Sequence, residues 1–432
     1  MKHWRTLAAL LLLVAAGAFA QDDGTDEDAL FGGGLIEETE ENADVDDAVN
    51  DLLTNDGTEV GGGFDLSIRL ATDPEEVNEF SDLIDETAPS YSLGSTVFID
   101  ARPDPDFRVF LKTQVEYDTE LPDPGASITV EELFSDVSLS DSLFLRAGKQ
   151  NMAWGVGYFF SPADLVSLES IDPDNPDAEL EGPVAVRLHY PIGTTNMYAY
   201  TMLDNFPNTG HAGYAAKLEF VVGNSEITTG GYFEQDAVSG LMATYSGSVG
   251  DFDLFAEVVG QYGSTITIVR EDGPLLVADD REDEWFPLAT GGFRYSWSDE
   301  LGNFNLSFIG QYFYNGQGYE DPSILQDPRV GTLLGAGEIG FSDFVGTGRH
   351  YGSALASWSN AFDSDWSPST FWIGNLSDGS GRVSLDVRYR INDYFSVTPG
   401  YSYAYGEEGD EYAPFGDDHV ITLGATLGAG RF

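Results

Sequence analysis

From residue 64 to the end, the chain repeats one unit: about ten residues that alternate apolar and polar, followed by a break. The stretch 107–117 shows it best. Phe107, Val109, Leu111, Val115 and Tyr117 share one parity, while Arg108, Lys112, Gln114 and Glu116 share the other. Successive strand residues point to opposite sides of a sheet, so such a segment has one apolar and one wet face. About ten tilted strand residues also match the apolar thickness of a bilayer. One copy says little, but a long series predicts an all-β fold: a transmembrane antiparallel β-barrel of the outer-membrane type. Soluble sandwiches and propellers alternate too, yet their strands average only about five or six residues.

The segments fall at 64–71, 91–101, 107–117, 128–140, 143–153, 183–190, 194–203, 212–221 and 225–234, then 240–249, 252–262, 286–298, 303–315, 349–360, 368–376, 381–390, 394–405 and 418–432. That makes about eighteen strands, with sixteen as the neighbouring even count. The connections support the count, because outer-membrane barrels place short turns at the periplasmic end and long loops outside. Every second connection is short and most carry Pro, Gly, Asn or Asp, as tight turns require. The alternate ones include the long, acidic 72–90, 154–182, 263–285, 316–348 and 406–417; the short outer exceptions are 235–239 and 377–380.

Before the barrel come two other regions. Residues 1–20 read as a secretory signal peptide: Lys2 and Arg5, an apolar run 7–14, and Ala18-Phe19-Ala20. This predicts Sec export and a diderm bacterium's outer membrane. Residues 21–60 hold 15 acids and no Lys or Arg, a composition that cannot repay chain entropy by burial. They read as a mostly disordered periplasmic tail, and residues 43–53 add the pattern of a short amphipathic helix that could plug the lumen. The barrel then spans 61–432. With no Cys, disulfides and thiolate metal sites are excluded; the formal charge of −55 argues against direct binding of nucleic acid or of anionic lipid head groups.

If the apolar parity faces lipid, the other parity lines the lumen. Ten of the 19 bases have lumen parity: Arg69, Arg108, Lys112, Arg146, Arg187, Lys217, Arg294, Arg382, Arg388 and Arg390. The acids crowd the tail and the loops. Arg-rich walls suit a path for anionic or hydroxyl-rich solutes. The alternative is bracing of the wall by Arg–carboxylate ladders, with Glu116, Glu219, Asp253, Glu257 and Asp386 as partners. In the loop 154–182, Asp172, Asp174, Asp177 and Glu179 form a weak Ca²⁺ candidate that lacks the EF-hand glycine and its twelfth-position Glu. No other cofactor is expected. The last strand keeps Ile421, Leu423, Ala425 and Leu427 on one parity and Phe432 on the other, so a bulge near Gly428 or Gly430 is needed to bring the terminal aromatic into phase.

The stretch Leu143 to Gly155, with Gly148-Lys149-Gln150 and Trp154-Gly155, leads into Pro162-Ala163-Asp164 and then Glu181-Gly182 and Arg187. This pattern resembles porin-like outer-membrane barrels, loosely similar to alginate-export porins. The resemblance implies a barrel of sixteen to eighteen strands that passes solutes. It also implies that 154–182 folds inward as a constriction loop, with Trp154 packing it and Asp164 or Glu181 facing Arg146 or Arg187.

The chain therefore reads as a passive channel for small hydrophilic solutes, anionic or saccharide in character. The alternative is a structural or adhesive surface barrel whose acidic loops bind partners or divalent cations. An enzyme is not expected, since none of His189, His211, His350 and His419 sits in a Ser/His/Asp arrangement. Expected partners are outer-membrane lipid, the solute, and the barrel-assembly machinery reading Phe432. Many porins trimerise, which leaves an oligomer open.

Overall fold

The computed structural model describes residues 58–72, 90–119, 125–167, 182–203, 212–235, 237–298, 305–413 and 418–431, with backbone alone for 69–72, 418 and 428–431. The signal peptide, nearly all of the acidic tail and Phe432 lie outside the described residues.

The strands run β1 (Thr58–Thr72), β2 (Ser90–Asp104), β3 (Phe107–Asp118), β4 (Gly125–Ser140), β5 (Leu143–Lys149), β6 (Val184–Ile192), β7 (Thr195–Met202), β8 (Gly213–Val222), β9 (Ser225–Phe233), β10 (Ser239–Val249) and β11 (Phe252–Tyr262). After β12 (Ile268–Asp272) and β13 (Leu275–Asp279) come β14 (Trp285–Ser298), β15 (Asn305–Asn315), β16 (His350–Ser359), β17 (Trp366–Asn375), β18 (Ser380–Asn392), β19 (Phe395–Tyr405) and β20 (Asp418–Arg431). All but β12 and β13 join one 18-stranded sheet, and β1 pairs with both β2 and β20. The sheet is thus a closed antiparallel barrel of eighteen strands, with no free edge. β12 and β13 form a separate hairpin inside the outer connection between β11 and β14.

Local chemistry accounts for the short-turn end. Gly193, Gly223 and Gly250 each open a two-residue turn at φ near +60°, the place where a tight hairpin of this twist takes glycine. At the last strand, the register with β1 slips between Gly63 and Phe64: Phe64 pairs with Leu427 and Gly63 with Ala429. Gly428 is the extra residue, so the bulge sits where the alternation of β20 required one.

The faces separate cleanly on β11. Leu254, Val258 and Tyr262 point outward and are exposed, while Phe255, Glu257, Val259 and Gln261 point inward and are buried. On β14, Trp285 and Trp297 mark the two ends of the outer face. At strand rise and the usual tilt they stand roughly 28 Å apart, the height of a lipid-facing band with its aromatic girdles.

Two expectations need correction. β5 does not run to residue 153; it stops at Lys149. Gly148 adopts φ +133°, and an added Cβ there would lie 2.2 Å from the Leu133 carbonyl oxygen. Beyond it the chain leaves the wall and turns into the barrel. Nor is the inner face polar throughout. Tyr200, Met202, Met242, Phe255, Val259, Phe286, Leu288, Ile309, Phe371 and Ile373 all point inward and are buried. These strands are apolar on both faces because their inner face seats another part of the chain.

Candidate functional site

That part is the segment 150–167, which has no helix or strand of its own. A chain inside a barrel must still satisfy its backbone polar groups, and two wall side chains do much of this. Glu257 on β11 accepts from the amides of Val156 at 2.5 Å, Gly157 at 2.6 Å and Ala163 at 2.8 Å, and from the Ser161 hydroxyl at 3.1 Å. Gln311 on β15 accepts from the amides of Phe159 at 2.7 Å and Tyr158 at 3.1 Å. Its own amide donates to the Phe160 carbonyl and to Thr290 on β14, both at 2.6 Å. Gly155 is required by this close approach: a Cβ would lie 1.6 Å from Ser161 Oγ and 2.6 Å from Glu257 Oε1.

The apolar side chains of the segment fill the seat. Met152, Trp154, Ala163 and Val166 pack with Ala185, Tyr200, Met202, Ala215, Met242, Val259, Phe286 and Leu288. Phe159 is wholly buried and stacks on Phe371 with ring centroids 5.2 Å apart. Phe160 stacks on Phe313 at 5.1 Å. The seat therefore reaches from β6 to β17, and Glu257 lies near the middle of its strand. Trp154 packs against Tyr200 at 5.4 Å.

Asp164 does not face Arg146 or Arg187. It closes the segment on itself, accepting from the Ser167 hydroxyl at 2.8 Å and the Trp154 amide at 3.4 Å. Although part of its surface touches solvent, Asp164 sits deep among protein atoms. Burial pushes its carboxyl up to about 7; Ser167 and the Trp154 amide pull it back, Glu257 adds to the rise, and Lys217 opposes it. Glu181 and the Ca²⁺ candidates Asp172, Asp174, Asp177 and Glu179 lie outside the described residues.

The bases stand mainly on the rest of the wall. Arg108 on β3 pairs with Asp100 at 2.8 Å and Asp136 at 3.5 Å, and Arg146 on β5 pairs with Asp136 at 2.6 Å. Arg146 also lies over the Phe134 ring at 3.8 Å. Lys112 meets Glu131 at 3.5 Å, where a bulge on β4 leaves Glu131 without an opposite residue and turns it inward. Lys217 on β8 pairs with Glu219 at 2.7 Å beneath Trp154. Arg390 pairs with Asp365 at 3.1 Å, and Arg294 donates to Ser296 at 3.2 Å. Arg382 faces inward from the outer end of β18, opposite Ile373 and Ala404. For Arg69 only the backbone is described, opposite Thr422 and Ser90.

Two bases differ. Arg187 on β6 and Arg388 on β18 make no hydrogen bond or ion pair among the described residues, and the Arg187 Nε is buried without an acceptor. Arg187 stands directly across the strands from Arg146. Both border a cavity of about 390 Å³ toward the short-turn end, which Arg108, Asp136, Phe144 and His189 also line. Of the acids proposed as braces, only Glu219 is ion-paired among these contacts. Asp100, Asp136 and Glu131 brace instead, and the carboxylate of Glu257 is taken up by the inward segment.

At the long-loop end, the outer connections fold over the mouth. Val269 and Leu276 of the hairpin form a small core with Val330 and Leu333 of the helix α1 (Val330–Ala336) and with Ile339. Glu411 reaches in from the last outer loop and accepts from the Gly346 amide at 3.0 Å, the Tyr351 hydroxyl at 2.7 Å and Asn375 at 2.9 Å. Burial raises the Glu411 carboxyl above the ordinary glutamate value.

No family model matches the sequence, and no curated protein does. Solved structures match. OccAB1 of Acinetobacter baumannii aligns with a TM-score of 0.51 at 12% identity, over 87% of this chain and 97% of that one. OccK5 (OpdH) of Pseudomonas aeruginosa gives 0.50 at 9% identity, over 86% and 97%. A mutant porin of Rhodopseudomonas blastica also aligns, at 0.44 and 11% identity, over 87% and 100%. At these identities the likeness is one of fold, a porin-like outer-membrane barrel.

Proposed function

We propose that this chain is an outer-membrane channel for passive diffusion of small hydrophilic solutes, with a preference for anions. The observation that carries the reading is the division of the inner wall. One side seats the segment 150–167 at mid-height, as a constriction would; the other carries most of the bases. Among the described residues Arg187 and Arg388 have no carboxylate partner, and Arg187 faces the like charge of Arg146. A brace needs paired charges, and like charges directly opposite cost stability. A guanidinium beside a cavity, as that of Arg187 is, suits a passing carboxylate or phosphate instead. The loose resemblance of the 143–187 motifs to alginate-export porins, a reading from the sequence alone, adds uronate oligosaccharides to the solutes worth testing.

On this reading, residues 1–20 direct Sec export, and the barrel-assembly machinery reads the last strand through Phe432. The bulge at Gly428 supports that role, because it reverses the alternation ahead of the terminal residue. The test is purified protein in planar bilayers. Discrete conductance steps are expected, with a reversal potential in a KCl gradient that favours chloride. A correctly folded but silent barrel overturns the reading.

One feature favours the second reading, a surface barrel that binds partners. The packed outer loops expose Phe341 at 81%, Val345 at 66% and Leu275 at 65%. Replacing these three with Ser should leave conductance unchanged under the channel reading.

A further inference from the structure

The outer rim of the lipid-facing surface repeats one construction twice. At the start of β16, His350 lies opposite Tyr314 of β15, and the Tyr312 hydroxyl is 2.6 Å from His350 Nδ1. At the start of β20, His419 lies opposite Tyr403 of β19, and the Tyr401 hydroxyl is 2.6 Å from His419 Nδ1. In both, the second tyrosine lies beside the imidazole, with ring centroids 5.6 Å and 4.7 Å away. The phenol is the better donor, so with its O–H on Nδ1 the neutral ring carries its proton on Nε2. Neither Nε2 has a partner among the described residues.

Between the two pairs lie two more aromatic rings joined by a hydrogen bond. Trp372 of β17 donates through Nε1 to the Tyr405 hydroxyl of β19 at 3.0 Å, crossing β18. Glycine permits this: a Cβ on Gly381 would lie 2.5 Å from that hydroxyl, and one on Gly352 would lie 3.1 Å from the Trp372 ring. These rings therefore rest on the backbone of the wall. An aromatic girdle needs only amphipathic rings at head-group depth. It needs neither paired imidazole donors nor rings laid over glycine.

We propose that the outer ends of β15–β20 form a binding site for one phosphorylated glycolipid of the outer leaflet. Against the expectation from net charge, the two Nε2–H groups donate locally to its phosphates, and its sugar rings rest on the faces of Trp372 and Tyr405. A diacyl phospholipid offers the phosphate alone. The site depends on the outer-membrane placement proposed above, but not on solute passage.

The test is native mass spectrometry of the full-length protein in detergent, incubated separately with lipid A and with phosphatidylglycerol. Wild-type protein should retain lipid A. The double variant His350→Phe/His419→Phe, which keeps both rings, should retain at least fivefold less at unchanged heat-modifiable gel mobility. His350→Gln/His419→Gln, which restores a donor near each Nε2, should recover most of the retention. Equal retention of lipid A by wild type and the Phe variant overturns the site, as does phosphatidylglycerol held as well as lipid A. Because conductance is not read, a silent barrel that retains lipid A would defeat the channel reading and leave this site standing.

Discussion

Arg146 and Arg187 face each other across β5 and β6, yet substitution should affect them differently. Arg146 is held by Asp136 at 2.6 Å and by the Phe134 face. Arg146→Ala removes a partly shielded pair and leaves Asp136 with Arg108 alone, so it should destabilise the barrel by about 1–2 kcal/mol. Arg187 has no such partner, and removing it relieves a like-charge contact. Arg187→Ala should therefore leave thermal stability unchanged or slightly raised while lowering the chloride preference of the channel. Reversal potentials and melting temperatures of the two variants decide this; a loss of stability in Arg187→Ala with unchanged selectivity would make it a brace. Parity alone placed these bases on one face of the sequence. It could not say which were paired, because Asp100 and Asp136 meet Arg108 and Arg146 only through the register of β2 to β5.

At the level of elements, the strands were legible because a period of two persists in most copies, and the short turns carry their own residue chemistry. The inward segment was legible only through a resemblance. Its hydrogen bonds join residues about 100 and 150 positions apart, as Glu257 to Gly157 and Gln311 to Phe159 show. A segment with no repeat of its own leaves no periodic trace. Its seat did leave one: apart from Glu257, 254–259 and 286–289 are apolar on both faces, and reading only one face for lipid hides it. The segment's anchors give two predictions. Glu257→Gln keeps the shape but replaces one acceptor oxygen with a donor facing backbone amides, and should release the segment, raise conductance and lower thermal stability. Asp164 gives a pH dependence. Its docked pKa, about 7, lies above the ordinary 3.8, so the docked state binds the proton more tightly. Docking is then strongest at acid pH, weakens as pH rises from near 4 to 7, and levels off above, by at most about 4 kcal/mol in all. Since the chain has no Cys, Val156→Cys supplies a single labelling site. Its labelling rate should climb across that window relative to the same site in Asp164→Asn; parallel profiles would rule the titration out.

Across the whole molecule, charge is arranged along the barrel axis. The connection 263–285 alone carries seven acids against two bases, and Glu407, Glu408, Asp410 and Glu411 follow in the last outer loop. The guanidinium groups of Arg187 and Arg388, unpaired among the described residues, lie deeper, toward the short turns. On the channel reading, a solute entering from outside meets a negative mouth before a positive lane. The two fields act over a Debye length, about 10 Å at 0.1 M salt and about 3 Å at 1 M. A pore with opposite fixed charges in series passes ions more readily under one polarity than the other, because one polarity fills the junction with carriers and the other empties it. Single channels should therefore rectify at 0.1 M KCl and approach a linear current–voltage relation at 1 M. Arg187→Ala/Arg388→Ala should remove most of the low-salt asymmetry while keeping the barrel open, since neither residue is tied into the wall. A wild-type channel that stays linear at 0.1 M would mean that the outer loops and the basic lane do not share one conduction path.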